Sequence, residues 1–208
     1  DLACGTGSVA VPLQQAGYEV IGVDRCHEML DVAEAKAQRA EADIEWIEAD
    51  MRDFVVAPRV DAVLCLYDSI NYAIDLDELE SVFRCAREGL EPDGLFIFDI
   101  TTERNIVEHF HKQTFTENRP KYSYVWKNVY TRHDKICRTE LTFFIRQENG
   151  HFERRIETHL QKIFEVREVQ KALTRTGFEM LSTYDAWTLY KHHRNSDRIN
   201  FTARMRPK

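Results

Sequence analysis

The chain opens on Asp1-Leu2-Ala3-Cys4-Gly5-Thr6-Gly7, which places a carboxylate, a small residue and two glycines in seven positions. Glycine has no Cβ, so at Gly5 and Gly7 the backbone can bend tightly and come close to a ligand. An acid before such a turn disfavours a pyrophosphate, because it would repel the phosphate that a helix N-terminus attracts. It suits a cationic ligand. Three positions after Gly7 stands Ala10, so the third glycine of the dinucleotide fingerprint is absent and an oxidoreductase is the weaker reading. Taken alone, the turn reads equally well as a plain strand-to-helix connection. A second carboxylate changes that balance. Asp24 ends the short apolar run from Glu19 and lies 17 positions after Gly7, near the spacing at which an acid closing a second strand meets ribose hydroxyls. Its other use is as a charge at the start of the helix that follows.

These residues need a scaffold. Ser8 to Ala16 can form a helix, Asp31 to Ala42 is alanine- and charge-rich, and Leu76 to Gly89 reads as a third helix. Between them lie the short strands Ile44 to Glu48 and Asp61 to Leu66, and then Leu95 to Ile100. Alternation of this kind predicts an α/β fold for residues 1–100, a Rossmann-like, mostly parallel sheet with helices on both faces. Ligands on such sheets sit beyond the carboxyl ends of the strands. Asp1, Asp24, Asp50 and Tyr67-Asp68 all fall at those ends.

After Ile100 the pattern changes. Thr101 to Lys112 reads as a helix, followed by stretches of two-residue alternation around Tyr122 to Trp126, Leu141 to Ile145 and Phe152 to Leu160. Residues 101–165 therefore form a helix and an antiparallel β insert, either a lid over the site or a sheet through which a homodimer pairs. Residues 166–208 return to the core as a helix from Val166 to Thr176 and strands at Phe178 to Ala186 and Ile199 to Met205.

Four segments carry a resemblance. Asp1 to Gly7, Val23-Asp24 with Glu28-Met29-Leu30, Glu48-Ala49-Asp50-Met51, and Asp61 to Tyr72 resemble, in order and spacing, the successive motifs of class I S-adenosylmethionine-dependent methyltransferases. Gly89 to Asp99 extends the likeness more weakly, and Ala3 stands where the family usually has glycine. The first motif belongs at the end of the central strand, so most of that strand and the helices before it are expected to be missing from the sequence.

The resemblance implies S-adenosyl-L-methionine as cofactor and roles for these residues. Asp24 would accept from both ribose hydroxyls, with Arg25 beside it, while Asp50 accepts from the adenine amine and Met51 packs by the ring. Asp1 would receive the ammonium of the amino acid tail, alongside backbone groups of Ala3, Gly5, Gly7 and Leu66. Tyr67 and Tyr72 are candidates to face the sulfonium or are packed core aromatics. Asp68 and Asn71 lie where cofactor and acceptor meet. Methyl transfer depends mainly on alignment and desolvation, and a base helps when the acceptor is an ammonium or a hydroxyl. Tyr72, His109 and His111 are the candidates. Histidines two apart on a helix diverge, so at most one of that pair faces the site.

Composition narrows the partners. The five cysteines are scattered without a Cys-x-x-Cys pair, so reduced thiols are expected rather than a metal site. No apolar run approaches the roughly 20 residues needed to span a bilayer, nor is there a leader, and a soluble cytoplasmic protein is expected. Residues 1–100 carry 22 acidic against 7 basic side chains, and residues 101–208 carry 13 against 21. The basic half either favours an anionic substrate or complements the first half; without a Lys/Arg block, nucleic acid is an unlikely partner. The segment Tyr67-Asp68-Ser69-Ile70-Asn71-Tyr72 lacks the Asn/Asp-Pro-Pro-Tyr/Phe arrangement used on nucleobase amines. It resembles small-molecule methyltransferases, including those acting on amines of glycine or amino sugars. The expectation is methyl transfer to nitrogen or oxygen of a small-molecule acceptor. Alternatives are an RNA or protein methyltransferase and a non-catalytic S-adenosylmethionine-binding module.

Overall fold

The computed structural model describes residues 1–206. Two parallel pairs form first: β1 (Ile21–Asp24) with β2 (Glu45–Glu48), and β3 (Val60–Cys65) with β4 (Leu90–Thr101). The opening residues join them. Leu2 N–H donates to Leu64 O at 2.8 Å, Val23 N–H to Asp1 O at 2.9 Å and Cys4 N–H to Val23 O at 3.0 Å, so this segment lies between β1 and β3. Beyond β4 the sheet continues with β10 (Arg198–Met205), antiparallel both to β4 and to β9 (Phe178–Asp185). The carboxyl ends of β1, β3 and β4 thus share one rim, to which the start of β10 returns.

Helices follow their apolar stripes. In α3 (Leu76–Gly89) the buried positions Leu79, Val82, Phe83 and Ala86 recur at helical spacing, and Asp75 caps the helix by accepting from Glu78 N–H at 2.8 Å. Phe83 meets Phe96 and Phe98 of β4, and Phe98 stacks on Phe201 of β10 with centroids 5.0 Å apart. All four rings are fully buried, each worth about 2–3 kcal/mol of transfer free energy. This aromatic row holds β10 beside β4. The remaining helices are α1 (Ala10–Gln15), α2 (His27–Arg39) and α5 (Val166–Arg175), the last opened by a Glu165/Glu168 capping box.

Two expectations need correction. Thr101 to Lys112 is not one helix: β4 runs on to Thr101, Thr102 caps a single turn, α4 (Glu103–Asn105), and Ile106–Phe110 forms a π-turn. Packing decides this, because Ile106, Val107 and Phe110 join a small second core with Tyr130, Cys137 and Ile163 of the insert. The insert also has four strands rather than three: β5 (Thr114–Asn118), β6 (Tyr122–Thr131), β7 (Ile136–Arg146) and β8 (Phe152–Lys162), paired in chain order. Only Phe115 is large and apolar in β5, too little alternation to announce a strand. Among the described residues no helix is long and apolar enough to cross a membrane.

The opening turn is left-handed at three positions: Ala3 (φ 55°), Gly5 (φ 53°) and Gly7 (φ 68°). The two glycines serve different ends. A Cβ on Gly7 would come within 2.8 Å of the Trp46 ring and 3.2 Å of Ala33 Cβ, whereas one on Gly5 meets nothing within 4 Å. Gly7 lets α2 and β2 close on the turn, and Gly5 presents bare backbone at the rim. Gly7→Ala is therefore expected to lower stability by about 2–4 kcal/mol through overpacking plus backbone strain, and Gly5→Ala by only about 1 kcal/mol. Denaturant titration of the two variants measures the difference.

Candidate active site

Asp24 closes β1 and reaches back to the turn. Its Oδ2 accepts from Gly5 N–H at 2.8 Å and its Oδ1 from Cys26 N–H at 2.9 Å. A carboxylate has about four lone-pair sites, so each oxygen keeps capacity for a hydroxyl. The carboxylate is thereby oriented by the backbone it stabilises, as a ribose acceptor at this rim requires.

Asp50, at the end of the β2 segment, is more heavily engaged. Arg52 binds it through Nε at 2.8 Å, Nη2 at 2.7 Å and its backbone N–H at 2.9 Å, and reaches Glu78 of α3 with Nη1 at 2.7 Å. Arg52 holds the Asp50 carboxyl below its ordinary range. Met51 packs against the main core. The adenine role expected of Asp50 and Met51 competes with these structural partners.

The loop after β3 is built around a buried carboxylate that sequence reasoning did not single out. Asp99, 2% exposed, accepts from Tyr67 N–H at 2.8 Å and Asp68 N–H at 2.6 Å. Tyr67 (φ 60°) and Asp68 (φ 55°) are both left-handed, a conformation that aims successive N–H groups at one anion. Arg198 of β10 donates to Asp99 Oδ1 and, at 2.7 Å, to Asp68 Oδ1, while Gln161 Nε2 binds Asp68 Oδ2 at 2.7 Å. Burial works against the charge on Arg198, but Asp68 and Asp99 together raise its pKa. Asp68, expected at the cofactor, thus has both oxygens committed to β8 and β10. Ser69 Oγ closes the turn on Leu66 O at 2.8 Å. Tyr67 is exposed at the rim against Trp187, with centroids 5.7 Å apart.

Asn71 and Tyr72 end a 3-10 turn (Ser69–Tyr72) and tie the insert to this loop. Buried Asn71 accepts from Thr101 N–H at 2.9 Å and donates to Lys162 O at 2.7 Å. Tyr72 Oη lies 3.2 Å from Nδ1 of His159 on β8, and His159 Nε2 lies 3.3 Å from a Glu157 oxygen. Burial, reinforced by the Asp68 charge, pushes the Tyr72 phenol up.

The other two candidate histidines have partners elsewhere. His111 Nδ1 accepts from Tyr130 N–H at 3.0 Å, and His109 lies 3.5 Å from Asp197, so both are engaged in the turn after β4. The histidine beside Tyr72 is His159. Its only trace in the sequence is the alternation that puts Glu157, His159 and Gln161 on one face of a strand. Among the described residues no group of three His, Cys, Asp or Glu side chains could hold a metal.

A parallel sheet with a glycine turn at its central rim and a backbone-oriented acid closing the next strand defines a nucleoside-binding, Rossmann-like fold. A family model described as a methyltransferase domain matches residues 1–94. A methyltransferase-family protein of Geobacillus sp. (strain WCH70) is 33% identical over 204 residues, spanning 98% of this chain and 83% of the relative. A glycine/sarcosine N-methyltransferase of Aphanothece halophytica is 27% identical over 201 residues, spanning 95% and 72%. The crystal structure of an S-adenosylmethionine-dependent methyltransferase from Clostridium acetobutylicum superposes with a TM-score of 0.88 at 26% identity, covering 100% of this chain and 83% of that one. The chain belongs to the class I S-adenosylmethionine-dependent methyltransferase family. When bound, the cofactor supplies a methyl group activated by a sulfonium; Asp24 and the Gly5 backbone are the groups here that fit it.

Two outcomes follow for the acid pairs. Asp99→Asn leaves Arg198 with a weakened partner, and is expected to cost about 3 kcal/mol by chemical denaturation. Asp50, with its folded pKa depressed, contributes stability that is complete above the ordinary carboxylate value of about 4 and is lost as pH falls through the folded value. Arg52→Met should flatten that acid-range loss in melting temperature measured from pH 6 to pH 2.

Proposed function

We propose that this methyltransferase acts on nitrogen or oxygen of a small molecule. The observation that carries this reading is the position of the insert. Asn71–Lys162, Asp68–Gln161 and Tyr72–His159 hold β8 against the loop after β3. By the strand register, Tyr124, Trp126, Leu141 and Phe143 share the face of the insert that carries His159. In this reading the acceptor would lie beside that loop and a partly aromatic sheet, a setting that suits a compact acceptor with some apolar surface.

The charge division supports the same reading. Arg198 pairs with Asp68 and Asp99, Arg175 with Glu80, and Lys135, Arg119 and Arg155 with neighbouring glutamates. These five of the 21 basic residues in 101–208 thus complement acids of this chain, which removes part of the free charge that could track a polyanion. Transfer to the amine of glycine and sarcosine is what the Aphanothece relative's name describes, and amines are the first acceptors to try here.

Calorimetry with S-adenosylhomocysteine on the wild type and Asp24→Asn tests the cofactor half. Loss of charged acceptance from the ribose is expected to weaken binding about 10- to 100-fold, as for hydrogen bonds to charged groups worth about 1.5–3 kcal/mol; equal affinities would remove Asp24 from the site. Incubating the wild type with labelled methyl donor and a panel of amines and hydroxylated metabolites tests the acceptor half. Methylated small products are expected. Label entering only RNA or protein would overturn the proposal.

A further inference from the structure

Tyr72, His159 and Glu157 come from the core loop and from the insert, and form a continuous hydrogen-bonded line. Glu157 as a carboxylate only accepts, so the imidazole nitrogen facing it, Nε2, carries the proton. In the neutral ring Nδ1 is then an acceptor, and the bond to Tyr72 Oη runs with the phenol as donor. Tyr72 is left with its oxygen lone pairs directed away from His159. The order of donors and acceptors is set by which groups can hold a proton at all.

We propose that Tyr72, His159 and Glu157 form a proton relay that deprotonates the methyl acceptor, with Tyr72 the catalytic residue and His159 and Glu157 positioning residues acting through it. This rests on the small-molecule reading above. An amine acceptor at neutral pH is an ammonium, whose nitrogen has no lone pair with which to attack a methyl group. In the relay its N–H bond breaks and the electron pair stays on nitrogen as the nucleophilic lone pair. That proton goes to Tyr72 Oη as the phenol's own proton passes to His159 Nδ1, leaving phenol, imidazolium and a free amine. Glu157 faces the charge that forms. His159 is partly exposed, which gives the proton a route to solvent. A phenol by itself is a poor base, because burial and the Asp68 charge hold its proton on; passing a proton through it requires no phenolate.

Other charges around the line do not break it. Asp68 shares the Arg198 guanidinium with Asp99, and its remaining charge helps keep the proton on Tyr72; the next residue on the His159 face beyond Glu157, Arg155, is paired to Glu153 at 2.7 Å. Arg25, which follows β1, and Glu157 are the other charges acting on the phenol. Placement is secured from both sides. Asn71 next to Tyr72 is bound to Lys162, three residues beyond His159, so the two segments that carry these side chains are held together.

The test uses the full chain. Nitrogen chemical shifts of the His159 ring, with Tyr72→Phe and His159→Gln for assignment, are expected to show the Nε2–H tautomer at neutral pH; an Nδ1–H tautomer overturns the relay. In kinetics with an amine from the acceptor screen, His159→Gln should lower kcat at pH 7 about 100-fold, with KM and S-adenosylhomocysteine affinity changed less than about threefold. Its rate should keep rising with pH toward the acceptor's own ionisation, where the wild type levels off. Glu157→Gln, an exposed change that spares the fold, should lower kcat about fivefold with the same profile shift, less than the roughly 100-fold or more of a group that itself transfers the proton, because Glu157 only faces the charge that forms. Unchanged pH profiles in both variants would also overturn the relay. If the wild type methylates no amine or hydroxyl, the small-molecule reading fails separately, and the tautomer still decides the relay.

Discussion

A single buried carboxylate organises the sheet rim of this protein. Asp99 lies two residues before the end of the core strand β4 and is 2% exposed, and an ion so placed needs several donors to offset its desolvation. It has Tyr67 N–H, Asp68 N–H and Arg198. Two of those donors exist only because Tyr67 and Asp68 adopt left-handed backbone conformations, which would cost roughly 1–2 kcal/mol per residue without that anion. The loop, the start of β10 and the core are therefore one electrostatic unit. Disturbing the carboxylate disturbs the position of everything on that loop.

From this loop the architecture extends outward. Asp68, turned by its left-handed backbone, meets Gln161, and Asn71 meets both Thr101 and Lys162. The antiparallel insert is thus attached to the core by polar bonds to the loop after β3. Such bonds are directional, so they specify register as well as attachment. The insert's mostly exposed outer face and its half-buried aromatic inner face follow from this docking.

The cofactor side is held differently, by backbone conformation. Ala3 takes a left-handed φ although it carries a Cβ, and the strand pairing of Leu2 and Cys4 on either side compels it. Gly7 yields its space to Trp46 and Ala33, whereas Gly5 leaves the rim open. One glycine pair, read as a single motif in the sequence, thus separates into a packing residue and a residue with open space beside it. Spacing alone could not distinguish them, because both satisfy the same turn.

Much of the fold was legible in the chain. Alternating short apolar strands and amphipathic helices dictate a layered α/β sheet, because each segment has only one way to bury its apolar side. The glycine turn, Asp24 and the loop from Tyr67 to Tyr72 announce themselves by residue type at strand ends, where local chemistry and position coincide. The failures have a common cause. Thr101 to Lys112 has helical composition, but Ile106 and Phe110 are claimed by a core built with residues from the insert. His109 and His111 lie close in sequence to the end of β4 and are consumed by that turn, while His159 comes from 87 residues beyond Tyr72. By itself the sequence determined the glycine turn, the acids at strand ends and which strands carry them, since those are matters of local pattern. Only the tertiary structure decided which acid is buried, which carboxylates are already paired and which histidine meets the tyrosine, because those depend on contacts between segments far apart along the chain.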